Sequence, residues 1–148
     1  MGALKEKVEK YEEALNTYLL AFALTPAQND TWYFLNNNLG YCLNYVGRYA
    51  EAKRHCLDAI EIDPRRHNAF KNLGGSLQGQ GKYSEAAKAL IEAIQPAPKD
   101  QRALKLLEEL IKSHKNELPE INDLLVTLNI CRELIKQVNQ GNRKEMMQ

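Results

Sequence analysis

Apolar residues recur every three or four positions along most of the chain, the spacing of a helical face rather than of a strand. Leu4, Val8, Tyr11, Leu15, Tyr18 and Phe22 form the first such stripe and predict one long helix. The next segment carries two stripes. Trp32, Leu35, Leu39, Leu43 and Val46 make one, while Phe34, Asn37, Asn38, Tyr41 and Tyr45 make the other, so a helix starting near Asp30 or Thr31 and ending at Gly47 has two occupied faces. Tyr49, Ala52, Cys56, Ala59 and Ile60 give the face of a following helix. It stops at Asp63-Pro64, because a residue before proline is biased out of the helical region. Two further helices are expected over residues 66–80 and 83–95, broken at Gly81 and closed by Pro96 and Pro98. Leu104, Leu107 and Ile111 mark a sixth. Pro119 is placed in the first turn of a seventh, with the broad apolar face Ile121, Leu124, Leu125, Leu128, Cys131, Leu134, Ile135 and Val138. Gly141 is expected to end that helix and to leave 141–148 as a frayed tail.

These helices are not independent of one another. Asn36, Leu39, Gly40, Leu43, Gly47, Tyr49, Ala52, Cys56, Ala59 and Pro64 are followed 34 positions later by Phe70, Leu73, Gly74, Leu77, Gly81, Tyr83, Ala86, Leu90, Ala93 and Pro98. All but the first and eighth pairs are identical. With its Leu-Gly, Gly-x-Tyr-x-Glu-Ala and terminal Pro signature at this period, the stretch resembles the tetratricopeptide repeat (TPR) family, whose unit is a helix-turn-helix hairpin. The resemblance implies an all-α fold, a right-handed superhelical solenoid of about seven antiparallel helices. Tyr11, Glu13, Ala14, Tyr18, Ala21 and Pro26 match the second half of a unit, with Glu9 standing where Gly47 and Gly81 make their turns. The expected organisation is therefore a half-repeat helix over 1–26, hairpins over 27–66 and 67–98, and a degenerate capping hairpin over 99–140, where Glu108, Lys115, Glu117 and Glu120 replace the signature residues.

In this family the first helix of each hairpin lines a concave groove that holds an extended peptide or a partner helix. The resemblance places Phe34, Asn37, Asn38, Tyr41 and Tyr45 there from one unit, Asn68, Lys71, Asn72, Gly75 and Gln78 from the next, and Arg102, Lys105, Glu109 and Lys112 from the cap. Asn38 and Asn72 fall at equivalent positions, similar to the asparagine ladder with which the repeats of O-linked N-acetylglucosamine transferase grip peptide main chain. An amide suits that task because it offers donor and acceptor together. The carboxylate clamp of chaperone-binding repeats is matched only at Asn72 and Arg102, with Asn37, Tyr41 and Leu106 at its other places. Phe34, Tyr41 and Tyr45 form an expected apolar wall, and Lys71, Arg102 and Lys105 a basic one. Gly75 and Gly79 are not required by the repeat and mark either tolerated glycines or a notch for a ligand backbone.

Composition and charge narrow the function classes. A net charge of +1 gives no basis for non-specific binding to nucleic acid or an anionic membrane. The longest apolar run, 18–24, falls far short of a membrane span, and three widely spaced cysteines fit a reduced compartment, so a cytoplasmic location is expected. Glu6 stands where an N-myristoylation signal needs Ser or Thr. His55, His67 and His114 have no metal-ligand spacing, Cys56 occupies a core register, and no strand precedes Gly74-Gly75 to make a phosphate loop. No enzyme, metal site or cofactor is expected. The leading reading is a protein-protein interaction module that binds a peptide or partner protein, of unstated identity, in the groove. The others are a self-associating or chaperone-like assembly element and the targeting domain of a larger protein such as a glycosyltransferase. A two-fold homodimer over the N-terminal end is the expected geometry of self-association, motivated by Tyr11, Tyr18, Phe22, Trp32 and Tyr33.

Overall fold

The computed structural model describes residues 2–24 and 30–147. They form α1 (Gly2–Leu24), α2 (Asp30–Tyr45), α3 (Tyr49–Ile62), α4 (His67–Gly79), α5 (Tyr83–Ile94), α6 (Arg102–His114), a 3-10 turn (Lys115–Glu117) and α7 (Ile121–Met147), with no strand among the described residues. Pro26, assigned to the end of the half-repeat, lies outside the described residues, as does most of the linker to α2.

The first helix of each complete hairpin ends the same way. Gly47 and Gly81 take φ of 83° and 75°, a region in which a Cβ would clash. Arg48 N–H then donates to Leu43 C=O (2.8 Å) and Gly47 N–H to Asn44 C=O (3.1 Å), while Lys82 and Gly81 repeat the pair on Leu77 and Gln78. This is a Schellman closure, and it satisfies carbonyls that the end of a helix leaves free. Each hairpin then closes on a glycine. A Cβ on Gly40 would lie 2.5 Å from Cys56 Sγ, and one on Gly74 would lie 2.7 Å from Leu90 Cδ2, so α2 meets α3 and α4 meets α5 at backbone distance.

Burial divides the apolar residues into a larger core running from Cys56 to Ile135 through α4, α5, α6 and α7, a smaller one of Leu15, Leu39, Cys42, Leu43 and Ala52, and a third of Tyr33, Ala59 and Ala69. Tyr11, Tyr18 and Phe22 of α1 pack on the smaller core. The aromatic side chains expected to form a surface at the N-terminal end are thus engaged internally: Phe22 meets Trp32 at 4.5 Å between ring centroids, and Tyr33 is buried. What α1 does expose is Leu4, Leu19, Leu20 and Leu24.

Three expectations are corrected here. The last helix does not end at Gly141 but runs through it to Met147, so 141–147 is helical. A glycine stops a helix where its φ turns positive, and among the described glycines only Gly47 and Gly81 do so. Pro119 precedes α7 rather than occupying its first turn; Leu118 is buried beneath it, and Ile121 N–H reaches back to Leu118 C=O at 3.2 Å. Gly79 is not a ligand notch, because a Cβ there would collide with the ring of Tyr49, which fills the space.

Candidate functional site

The face shared by α2, α4 and α6 brings Tyr41, Asn44, Tyr45, Lys71, Asn72, Gly75 and Leu106 around one cavity of about 250 Å³, with Tyr49 of α3 at its edge. Helical spacing explains the α2 contribution. Asn37, Tyr41 and Asn44 step by four and three, so they project on one side of the helix.

An amide network ties this face together. Asn72 is buried and donates from Nδ2 to Asn37 Oδ1 at 2.9 Å. Asn44 donates from Nδ2 to the Asn72 carbonyl at 2.8 Å and accepts the Ser76 hydroxyl on Oδ1 at 2.7 Å. The donor of Asn72 is therefore engaged in joining α4 to α2. Asn38, one register earlier, is half-buried and has no side-chain hydrogen bond to a described residue.

Tyr41 and Tyr45 are capped by a residue from α1. The Tyr11 ring stacks on Tyr45 at 3.8 Å between centroids, and the Tyr11 and Tyr41 hydroxyls are 3.2 Å apart. That hydrogen bond, followed by burial, raises the Tyr41 pKa above its ordinary value. Repeat register governs the packing: Tyr11, Tyr49 and Tyr83 each cover the end of the next hairpin's first helix, on Tyr45, Gly79 and His114 respectively.

The basic wall is split. Lys71 lies with its Nζ 5.7 Å from the Tyr41 ring centroid, and no described carboxylate forms an ion pair with it. Burial, and next the charge of Arg102, push its pKa below the ordinary lysine value. Arg102 is committed to Asp100 at 2.6 Å and to Asn68 at 2.9 Å. The Arg102 hydrogen bond, with smaller help from His67, holds the Asp100 carboxyl well below the usual carboxylate range. Lys105 is not beside Tyr41; it lines a different cleft, between α6 and α7. Phe34 is exposed and lies under the Arg66 guanidinium, 4.9 Å from its centroid, away from the cavity. Asn44 lines the cavity and was not singled out from the sequence, and Tyr11, assigned there to a dimer surface, packs on Tyr41 and Tyr45 instead. Asn44 could have been found seven residues after Asn37; Tyr11 could have been found from the shared tyrosine register.

This face presents hydrogen-bonding amides, an aromatic wall and one ammonium that no described carboxylate pairs with. The TPR sequence profile matches residues 35–66, which are α2 from Leu35 onward, α3 and the turn after it. The α4–α5 hairpin repeats that unit with the same glycine closure and the same helix-helix contact. Residues 35–66 are thus a tetratricopeptide repeat unit. No curated protein matches it. Repeats of this type generally mediate protein-protein interaction. Cys42, Cys56 and Cys131 are free and buried, and burial pushes the Cys56 thiol up to about 12, far from the range of a reactive thiolate. No helix among the described residues is long and apolar enough to cross a membrane.

Proposed function

We propose that the TPR face formed by α2, α4 and α6 binds a peptide segment of a partner protein, with an acidic group on Lys71 and an apolar side chain against Tyr41 and Tyr45. One observation carries this reading: Lys71 is a half-buried cation without an ion-pair partner among the described residues, set beside an aromatic wall and an amide network. Such an ammonium has already lost part of its hydration, so a ligand carboxylate regains electrostatic energy there at little further desolvation cost. Asn38 serves as the open main-chain grip and Asn72 positions the helices. Arg102 and Asn68 form the neighbouring basic edge, and Lys105 and Phe34 lie outside the contact.

The test compares partners captured by the wild-type chain and by Lys71→Glu and Tyr41→Ala variants. The reading expects a partner set lost by both variants while their helical circular dichroism is unchanged. Partners retained equally by both would remove the groove as the binding surface.

The exposed Leu19, Leu20 and Leu24 on α1 favour a second reading, self-association through that helix in a cytoplasmic protein. Light scattering on wild type and a Leu20→Ser, Leu24→Ser variant checks it, since monomers at high concentration in both would remove a homodimer from consideration.

A further inference from the structure

A larger cavity, about 680 Å³, opens between α6 and α7 and is lined by neither Tyr41 nor Lys71. Its origin is legible in the repeat. Glycine at positions 40 and 74 brings the two helices of each complete hairpin into backbone contact, and Glu108 holds the equivalent place in the cap. The Glu108 carboxylate meets Arg132 of α7 at 3.5 Å, so a charged pair links the cap helices at the register where the complete hairpins have a glycine. The floor is apolar, made by the buried Ile111 and Leu128 and the partly exposed Leu125. Lys105, Lys112 and Lys115 stand around it, none in an ion pair with a described carboxylate, and Glu109 is the one negative charge on the rim not already paired.

From this we infer that the α6–α7 cleft is a second recognition site, separate from the groove, for an acidic peptide segment that seats a leucine-like side chain on Leu125 and Leu128. Three unpaired ammoniums around an apolar floor complement a segment alternating carboxylates with aliphatic residues. A polyphosphate or nucleic acid fits less well, because Glu109 repels a dense anion and the floor offers it nothing. The volume is within the range of sites that enclose several side-chain-sized groups, roughly 300–1,000 Å³.

The probe is a fluorescein-labelled synthetic peptide, Glu-Leu-Glu-Asp-Leu-Glu, titrated by anisotropy at low ionic strength against the full chain. The inference expects saturable binding, weakened about tenfold by Lys105→Glu with Lys112→Glu, the scale for several partly exposed charge pairs. It also expects weakening by Leu125→Ser, an exposed position whose change leaves the helical spectrum intact, and loss of binding when the probe's leucines are replaced by serine. Lys71→Glu should leave this peptide's affinity within about twofold, as expected for a distant screened charge. Failure of the wild-type chain to bind, equal binding of the serine peptide, or full competition by inorganic pyrophosphate would each overturn the inference. A loss with Lys71→Glu as large as with the cleft variants would place the peptide in the groove, overturning the cleft while leaving the groove reading intact.

Discussion

Asn38 and Asn72 occupy the same register one unit apart, yet they face different surroundings. Asn72 reaches Asn37 on the preceding hairpin, and in the following unit Leu106 shares a cavity wall with Lys71 at the matching pair of positions. The position is thus first a seam between successive first helices. Asn38 has no preceding first helix among the described residues to meet, and its amide stays open. Alanine at 72 should destabilise the chain by about 0.5–1.5 kcal/mol in urea unfolding, while alanine at 38 should leave stability unchanged and act only on partner affinity. Another residue-scale effect is titration of His55. It is buried, its Nδ1 lies 2.9 Å from Asn36 Oδ1, and Asn36 Nδ2 donates to Trp32 C=O, so Oδ1 accepts and the neutral ring carries its proton on Nδ1. Burial and then Arg54 lower its pKa, against smaller opposing effects of Asp58 and Glu51. The unfolded chain therefore binds the proton more readily, and stability should fall as pH drops below about 6.5 and level off below the folded value. Thermal melts between pH 7 and 5 check this; His55→Asn, which keeps a donor near Asn36, should flatten that slope.

Helix boundaries follow from backbone geometry more than from composition. Gly47 and Gly81 stop helices because a Schellman closure and a second helix lie immediately beyond them, whereas Gly141 has nothing within 4 Å of a built Cβ and no reason to leave helical φ. Replacing Gly141 by alanine should raise stability or helicity of the α7 end by up to about 1 kcal/mol, measured by circular dichroism at 222 nm against the parent chain. Gly79→Ala works in the opposite direction. Its Cβ displaces the Tyr49 ring, an overpacking cost of about 1–3 kcal/mol. The sequence marks Gly79 as unneeded by the repeat and Gly141 as a helix end; in the fold a tyrosine thirty positions away fills the space at the first, and open space surrounds the second.

At the scale of the whole molecule, three cores of unequal size share α3, through Ala52, Cys56 and Ala59. The core of Leu39, Cys42, Leu43 and Ala52 rests on α1, which touches α2 and is anchored by Leu15 as its one buried residue among the described ones. Stability in such a stack is a sum over neighbours, so the end with fewer of them opens first. Native-state hydrogen exchange should show α1 amides exchanging by a lower-energy opening than those of α5, where Leu90, Ala93 and Ile94 are completely buried. Uniform protection across α1 and α5 would mean a single cooperative unit instead. What the sequence by itself determined was the number, order and hairpin pairing of the helices, because a repeating pattern of apolar, glycine and tyrosine positions encodes local turns and nearest-neighbour packing. The composition of the candidate face was decided only in three dimensions. Whether an asparagine is open or engaged, whether Lys71 has a counter-charge, and whether Glu108 meets Arg132 depend on side chains from other units, and no periodicity within one helix records those partners.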